Sequence, residues 1–154
     1  MTGNKVADES IHASAVQMAG RGVLILGPSG SGKSSLAMRL IALGGRLIAD
    51  DRVILMRRDT RLWARPPARL AGLIEARGIG LMRVPHAPGP IDLVVDLART
   101  ETDRLPPIRN SDVGEVSLPL VLGPLTEHLS SAICLFLRGG RLVTEVSCYR
   151  PRDE

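Results

Sequence analysis

The sequence predicts an α/β fold, a single domain organised around a phosphate-binding loop. Three observations carry that expectation. Residues 27–34 read Gly-Pro-Ser-Gly-Ser-Gly-Lys-Ser, a complete phosphate loop. An apolar run at 22–26 precedes it and a helix-like stretch at 34–43 follows it, and this strand–loop–helix context gives the pattern a mechanism. Further apolar runs at 46–56 and 91–97 are separated by polar segments bearing glycine and proline, as expected of strands joined by loops and helices.

Composition sets the outer limits. The chain has 154 residues, enough for one domain that buries about 68–70% of its unfolded surface without staples. Apolar residues make up 44% and charged residues 23%, as in ordinary globular proteins. Trp63, Phe136 and Tyr149 are the only aromatic residues, which disfavours a single-strand nucleic-acid module built on stacked rings. The net charge of +4 suits a phosphate ligand or an acidic protein partner. Cys134 lies in an apolar run and reads as a small core residue. With Cys148 it makes neither a metal pattern nor a disulfide framework, so a reduced cytoplasm is the expected setting. No run approaches the ~20 apolar residues of a membrane span.

The elements follow in chain order. Residues 11–17 read as a short strand that turns at 20–22 into the strand before the loop. In the loop, Gly27, Pro28, Ser29, Gly30, Ser31 and Gly32 present backbone N–H groups to a phosphate, and glycine lets the backbone fold inward. The helix that follows adds partial positive charge at its start. Lys33 would reach the terminal phosphates and the Ser34 hydroxyl would bind Mg²⁺. A strand-to-helix turn that binds nothing has no need of Lys33 and Ser34 at this spacing. Gly44-Gly45 stops the helix. Residues 46–56 read as one strand carrying Asp50 and Asp51 midway.

The arginine-rich stretch 57–69 reads as a solvated loop, with Pro66-Pro67 as a turn. Residues 70–84 mix apolar residues with glycines, which argues for irregular backbone near a site. Residues 85–90 form a loop and 91–97 a buried strand. The span 100–123 is polar, with a short strand near 116–121. Residues 124–138 look helical and stop at Gly139-Gly140. A last strand-like piece spans 142–149. His86 and His128 read as loop and helix-surface residues.

Asp50 and Asp51 sit where a phosphate-loop protein carries its metal-side acid. Side chains alternate along a strand, so only one of the two is expected to face the phosphates unless the strand twists there. Asp96, in Leu93-Val-Val-Asp-Leu97, is a rival for the same role, and composition does not choose between them.

At this point the chain resembles the HPr kinase/phosphorylase family. The residues that carry the resemblance are His12, the loop 27–34, Gly45-Arg-Leu-Ile-Ala-Asp-Asp-Arg-Val53, Ile74-Glu-Ala-Arg-Gly-Ile-Gly80, Ile91-Asp-Leu-Val-Val95 and Asp103-Arg-Leu105. They occur in family order over roughly residues 11–105. The acid stretch and the Glu-x-Arg-Gly-x-Gly stretch are far more specific than the loop.

The resemblance implies a phosphate-loop kinase-like fold with a mixed central sheet, occupying residues 1–154 as one catalytic domain, a short form without the family's common N-terminal domain. It implies an ATP- and Mg²⁺-dependent kinase that phosphorylates a serine of HPr, the phosphotransferase-system carrier, and can remove that phosphate with inorganic phosphate. In this reading Lys33 and the loop hold the donor phosphates, Ser34 and Glu75 hold Mg²⁺, and Asp51 takes the proton from the serine. His12 and Arg104 stand near the reacting groups, with Asp50 and Arg77 as further site residues. A carboxylate that accepts this proton must return it in reverse, and phosphoryl transfer otherwise asks for positioning and charge neutralisation.

The implied partners are HPr and other copies of the chain in a ring-like hexamer, with neither nucleic acid nor membrane. The chain departs from the family at Ser35, where many members carry Glu. It also departs in the late basic loop used for dephosphorylation, whose nearest counterpart is Pro107-Ile-Arg-Asn110. Two other readings of the phosphate loop remain: a small kinase or NTPase acting on a metabolite, and a nucleotide sensor without catalysis. Asp50, Asp51 and Glu75 count against the sensor, which needs no proton acceptor.

Overall fold

Apolar residues alternate along the central strands and divide between two separate cores, and that division sets the architecture. The computed structural model describes residues 8–143. At its centre lie β2 (Ser14–Met18), β3 (Arg21–Leu26) and β10 (Leu93–Thr100). Val16, Val23, Ile25, Leu93 and Val95 face one core, while Ala15, Leu24 and Val94 face the other. A sheet covered on both faces needs near-continuous apolar strands, and runs 22–26 and 91–97 supply them.

These strands belong to a six-stranded sheet with β4 (Arg46–Ala49), β11 (Arg109–Val113) and β12 (Val116–Gly123), in the order β11-β12-β10-β3-β2-β4. It is mixed, as expected: β10 runs parallel to β3 and β12, while β2 is antiparallel to β3 and β4. Helices α1 (Lys33–Ala42) and α2 (Glu127–Leu137) cover one face, burying Leu36, Leu40, Ile133, Cys134 and Leu137 there. Thr126 caps α2 by accepting the Leu129 N–H. The other face packs on a four-stranded antiparallel sheet of β1 (Glu9–His12), β5 (Arg52–Arg58), β6 (Arg61–Arg65) and β9 (Gly89–Ile91), in the order β1-β5-β6-β9. A Cβ on Gly22 would collide with the Pro90 carbonyl oxygen, so glycine permits the close crossing of β3 and β9.

Four expectations are corrected. Segments 11–17 and 46–56 are not single strands. Each breaks and passes from one sheet to the other, so β1-β2 and β4-β5 form one antiparallel ribbon, paired as His12↔Arg52 on one side of the break and Ala15↔Ala49 on the other. The break is made by Asp51, whose φ of 67° is left-handed, a region Asp tolerates better than most residues. Ala13 N–H donates to the Asp51 carbonyl and Arg52 N–H to the Asp50 carbonyl.

Stretch 57–69 is not a loop either: most of it is the β5–β6 hairpin, with Leu62 and Ala64 inward, Arg57, Arg58 and Arg61 outward, and Arg58 over the Trp63 ring. Segment 70–84 holds a regular hairpin of β7 (Leu73–Ala76) and β8 (Gly80–Arg83). The polar span before β12 contains the edge strand β11. Cys134 is buried and free beside the Met18 sulfur, as expected of a core thiol. In the strand expected at 142–149, Leu142 and Val143 carry no regular structure and the rest, including Cys148, lies outside the described residues.

Candidate functional site

The phosphate loop leaves β3 and enters α1 through Gly32, whose φ is 101°. A Cβ there would lie 2.7 Å from Leu125 Cδ2, so the left-handed backbone favours glycine and a side chain would also have to displace the end of Leu125. The first turn of α1 carries no acidic residue, and its partial positive charge is left for an anion. Ser31 N–H donates to the Pro28 carbonyl, which tightens the loop. The Ser31 hydroxyl is buried without a partner. Lys33 is only 6% exposed. Its Nζ donates to the carbonyls of Gly27 at 2.6 Å and Pro28 at 3.0 Å, and the third ammonium proton remains for a phosphate oxygen.

The break in the ribbon sorts the two acids. Asp50 points inward, 7% exposed. Its Oδ1 accepts the Ser14 hydroxyl at 2.6 Å and the Ser34 hydroxyl at 2.9 Å. Asp51 points outward, with its side chain 70% exposed, and pairs with His12 Nε2 at 3.3 Å. His12 and Asp51 come from opposite strands of the ribbon at its crossing point.

One cleft of about 310 Å³ gathers these groups: His12, Lys33, Ser34, Asp51, Glu75 and Arg77 all line it, with Ser29 and Gly30 from the loop. Glu75 and Arg77 arrive on the exposed β7–β8 hairpin, whose turn leaves Ile79 81% exposed. Asp50 lies beneath, behind Ser34. Two residues singled out in the sequence are elsewhere. Asp96 is half-buried between Val95 and Leu97 in β10, where its carboxylate accepts the Ala98 N–H, and it does not line the cleft. Arg104 is exposed on the loop after β10 and lies outside the cleft. That loop is tied instead to Glu101, which accepts from the backbone of Thr102 and Asp103 and from Arg109. The expectation that Arg104 joins the site is thus not met within this cleft.

Ser14, which also lines the cleft, is the functional-site residue that sequence reasoning passed over. Its signal was a hydroxyl inside an apolar strand two residues after His12.

The donor set suits magnesium. The Ser34 hydroxyl and the Glu75 carboxylate offer hard oxygen donors in the cleft, with the Asp50 carboxylate behind Ser34. Mg²⁺ is usually held by one or two carboxylates together with substrate phosphates. Among the described residues no group of three or more His, Cys, Asp or Glu is placed to hold a metal ion. A phosphate-binding loop, the Ser34 hydroxyl and an exposed carboxylate in one cleft are the protein parts that a phosphoryl-transfer site requires.

Comparison with known proteins gives a consistent result. A family model described as the HPr serine kinase C-terminal domain matches residues 4–109. The HPr kinase/phosphorylase of Enterococcus faecalis is 37% identical over 142 residues, covering 80% of this chain and 46% of the relative. The HPr kinase/phosphorylase of Lactiplantibacillus plantarum is 40% identical over 113 residues, covering 68% and 36%. The chain thus spans less than half the length of these curated relatives. Among solved structures, the Hpr(Ser) kinase/phosphatase from Coxiella burnetii superposes with a TM-score of 0.72 at 25% identity, over 84% of this chain and 94% of that one.

Proposed function

Since the chain belongs to the HPr serine kinase C-terminal domain family, we propose that it transfers the γ-phosphoryl group of ATP to a serine hydroxyl of an HPr-type phosphocarrier, with Mg²⁺ bound beside the nucleotide. The observation that carries this reading is the meeting of Lys33 and Ser34 with the His12–Asp51 pair and Glu75 in one cleft.

The loop amides, the start of α1 and Lys33 hold the donor phosphates. Ser34 and Glu75 would hold the metal, whose charge would offset that of the phosphate oxygens. Asp51 is exposed, so an alcohol on another protein reaches it, and it takes the serine proton as the P–O bond forms. His12, within ion-pair distance, orients the Asp51 carboxylate. Run in reverse with inorganic phosphate, the same carboxylate returns the proton. Arg77 is placed to meet phosphate charge at the mouth of the cleft. The exposed apolar turn at Ile79 and Leu81 favours a protein acceptor over a small metabolite.

Residues 1–154 act as one catalytic domain in this proposal, in the cytoplasm and as a homo-oligomer. Among the described residues, no helix is long and apolar enough to cross a membrane. The test is incubation of the purified chain with ATP, Mg²⁺ and cognate HPr. The expected result is a mass gain of one phosphate on an HPr serine, reversed by excess inorganic phosphate. Failure of HPr to gain phosphate, while a small acceptor consumes ATP, would replace the protein-kinase reading with a metabolite kinase.

A further inference from the structure

The residue left without a role in that scheme is Ser14. It is fully buried, opens β2 at the ribbon's crossing point and lines the floor of the cleft. Its hydroxyl makes a short contact of 2.6 Å to Asp50 Oδ1. The same oxygen accepts the Ser34 hydroxyl at 2.9 Å, and Ser34 also approaches Asp50 Oδ2 at 3.2 Å. Two hydroxyls from different elements, β2 and α1, therefore converge on one carboxylate carried by the β4–β5 bend.

We propose that Ser14 is a positioning residue for the magnesium site: by donating to Asp50 it fixes the carboxylate that orients the Ser34 hydroxyl toward the metal. The inference rests on the kinase reading of the cleft. Its chemistry concerns this chain's own groups. A serine hydroxyl ligates a cation through its oxygen lone pairs, and its proton must then be held by another acceptor. Asp50 is that acceptor, because Ser34 already donates to it. A carboxylate held by one donor alone can rotate about its terminal torsion, which is soft. A second short donor from the opposite strand removes that freedom. Such outer partners tune a metal site strongly, and their loss commonly weakens metal binding about 10–100-fold.

The alternative is that Ser14 only satisfies a buried acid and serves stability. The two roles separate in a binding experiment that needs no turnover. A fluorescent ATP analogue is titrated at a series of Mg²⁺ concentrations and again with chelator, using the wild-type chain, Ser14→Ala and Ser14→Cys. Cysteine keeps the side-chain volume but is a weak donor, so it decides the question should the alanine variant fold poorly. Thermal midpoints are measured without ligand.

In both variants the Mg²⁺ needed for half-maximal nucleotide binding should rise roughly tenfold or more, while binding in chelator stays within twofold of wild type. Wild-type Mg²⁺ dependence in the folded variants, with only a lowered thermal midpoint, would overturn the proposal and leave the kinase reading intact. An equal loss with and without Mg²⁺ would overturn it as well, placing Ser14 in the loop's support. Wild-type binding that ignores Mg²⁺ would sink both readings together.

Discussion

Lys33, Ser34 and Asp50, on one side of the cleft, are buried or half-buried and each is hydrogen-bonded within the protein. Glu75 and Arg77, on the other side, are exposed on a two-stranded hairpin that belongs to neither main sheet. The first wall is held by hydrogen bonds within the protein, as suits the phosphates of the proposed nucleotide, because preorganised donors need no rearrangement during reaction. The second wall stands open to solvent, where the proposed protein acceptor would meet it. Asp51 sits between them. Its backbone belongs to the rigid ribbon and its carboxylate to solvent.

Substitutions test whether the two walls are as separable as this. The largest effect is expected at their junction. Asp51→Asn should lower HPr phosphorylation at saturating substrates by about 10²–10⁴-fold, the usual worth of a positioned general base. Nucleotide binding, followed by the fluorescent analogue, should hardly change. Lost nucleotide binding would move Asp51 from proton transfer to the metal.

On the fixed wall, Gly32→Ala forces a side chain into a left-handed conformation and against Leu125. It should destabilise the fold by about 1–3 kcal/mol, the usual cost of such backbone strain, and weaken nucleotide binding with it; denaturant unfolding and the binding isotherm check both. On the exposed wall, Ile79→Asp should raise KM for HPr roughly tenfold, equivalent to about 1.4 kcal/mol. Its stability should stay within about 0.5 kcal/mol of wild type, as for other exposed positions. A matching fall in nucleotide affinity would show that the hairpin and the phosphate loop are one unit.

The smallest effect lies outside both walls. The Arg109 guanidinium holds the Glu101 carboxyl below its ordinary range. A folded-state pKa below the unfolded value of 4.5 stabilises the fold above that pH, and this is lost as pH falls through the folded value. Glu101→Gln should therefore lower the thermal midpoint slightly at pH 7, and the difference from wild type should vanish in acid.

The same contrast explains what was legible in the sequence. The phosphate loop, α1, β3 and β10 announced themselves, because a motif or a doubly buried strand leaves a strong local pattern. The cradle residues and the Asp50–Asp51 pair were found for that reason. The break between the two acids was not, since residues 46–49 and 52–56 are equally strand-like. What separates them is pairing with β1 and β2, far away in the chain. The β5–β6 hairpin did show its alternation, Arg-Leu-Trp-Ala-Arg, but five arginines drew attention to charge rather than period. Strand β11, Arg-Asn-Ser-Asp-Val, has no apolar face to declare and exists by pairing with β12. Ser14 escaped because a lone hydroxyl in an apolar run carries no motif, and its meaning depends on Asp50, 36 residues later.

The ribbon that crosses between the two sheets has a consequence for how this segment can be altered. Its side chains alternate with a period of two, so losing or gaining one residue between Arg46 and Arg58 would exchange the sides of the two acids or tear one sheet from its register. Substitution of the solvent-facing side chains of β5 by residues other than proline is cheap by comparison, because the backbone keeps its pairing with β1 and β6. Engineered libraries here should vary letters and hold length constant.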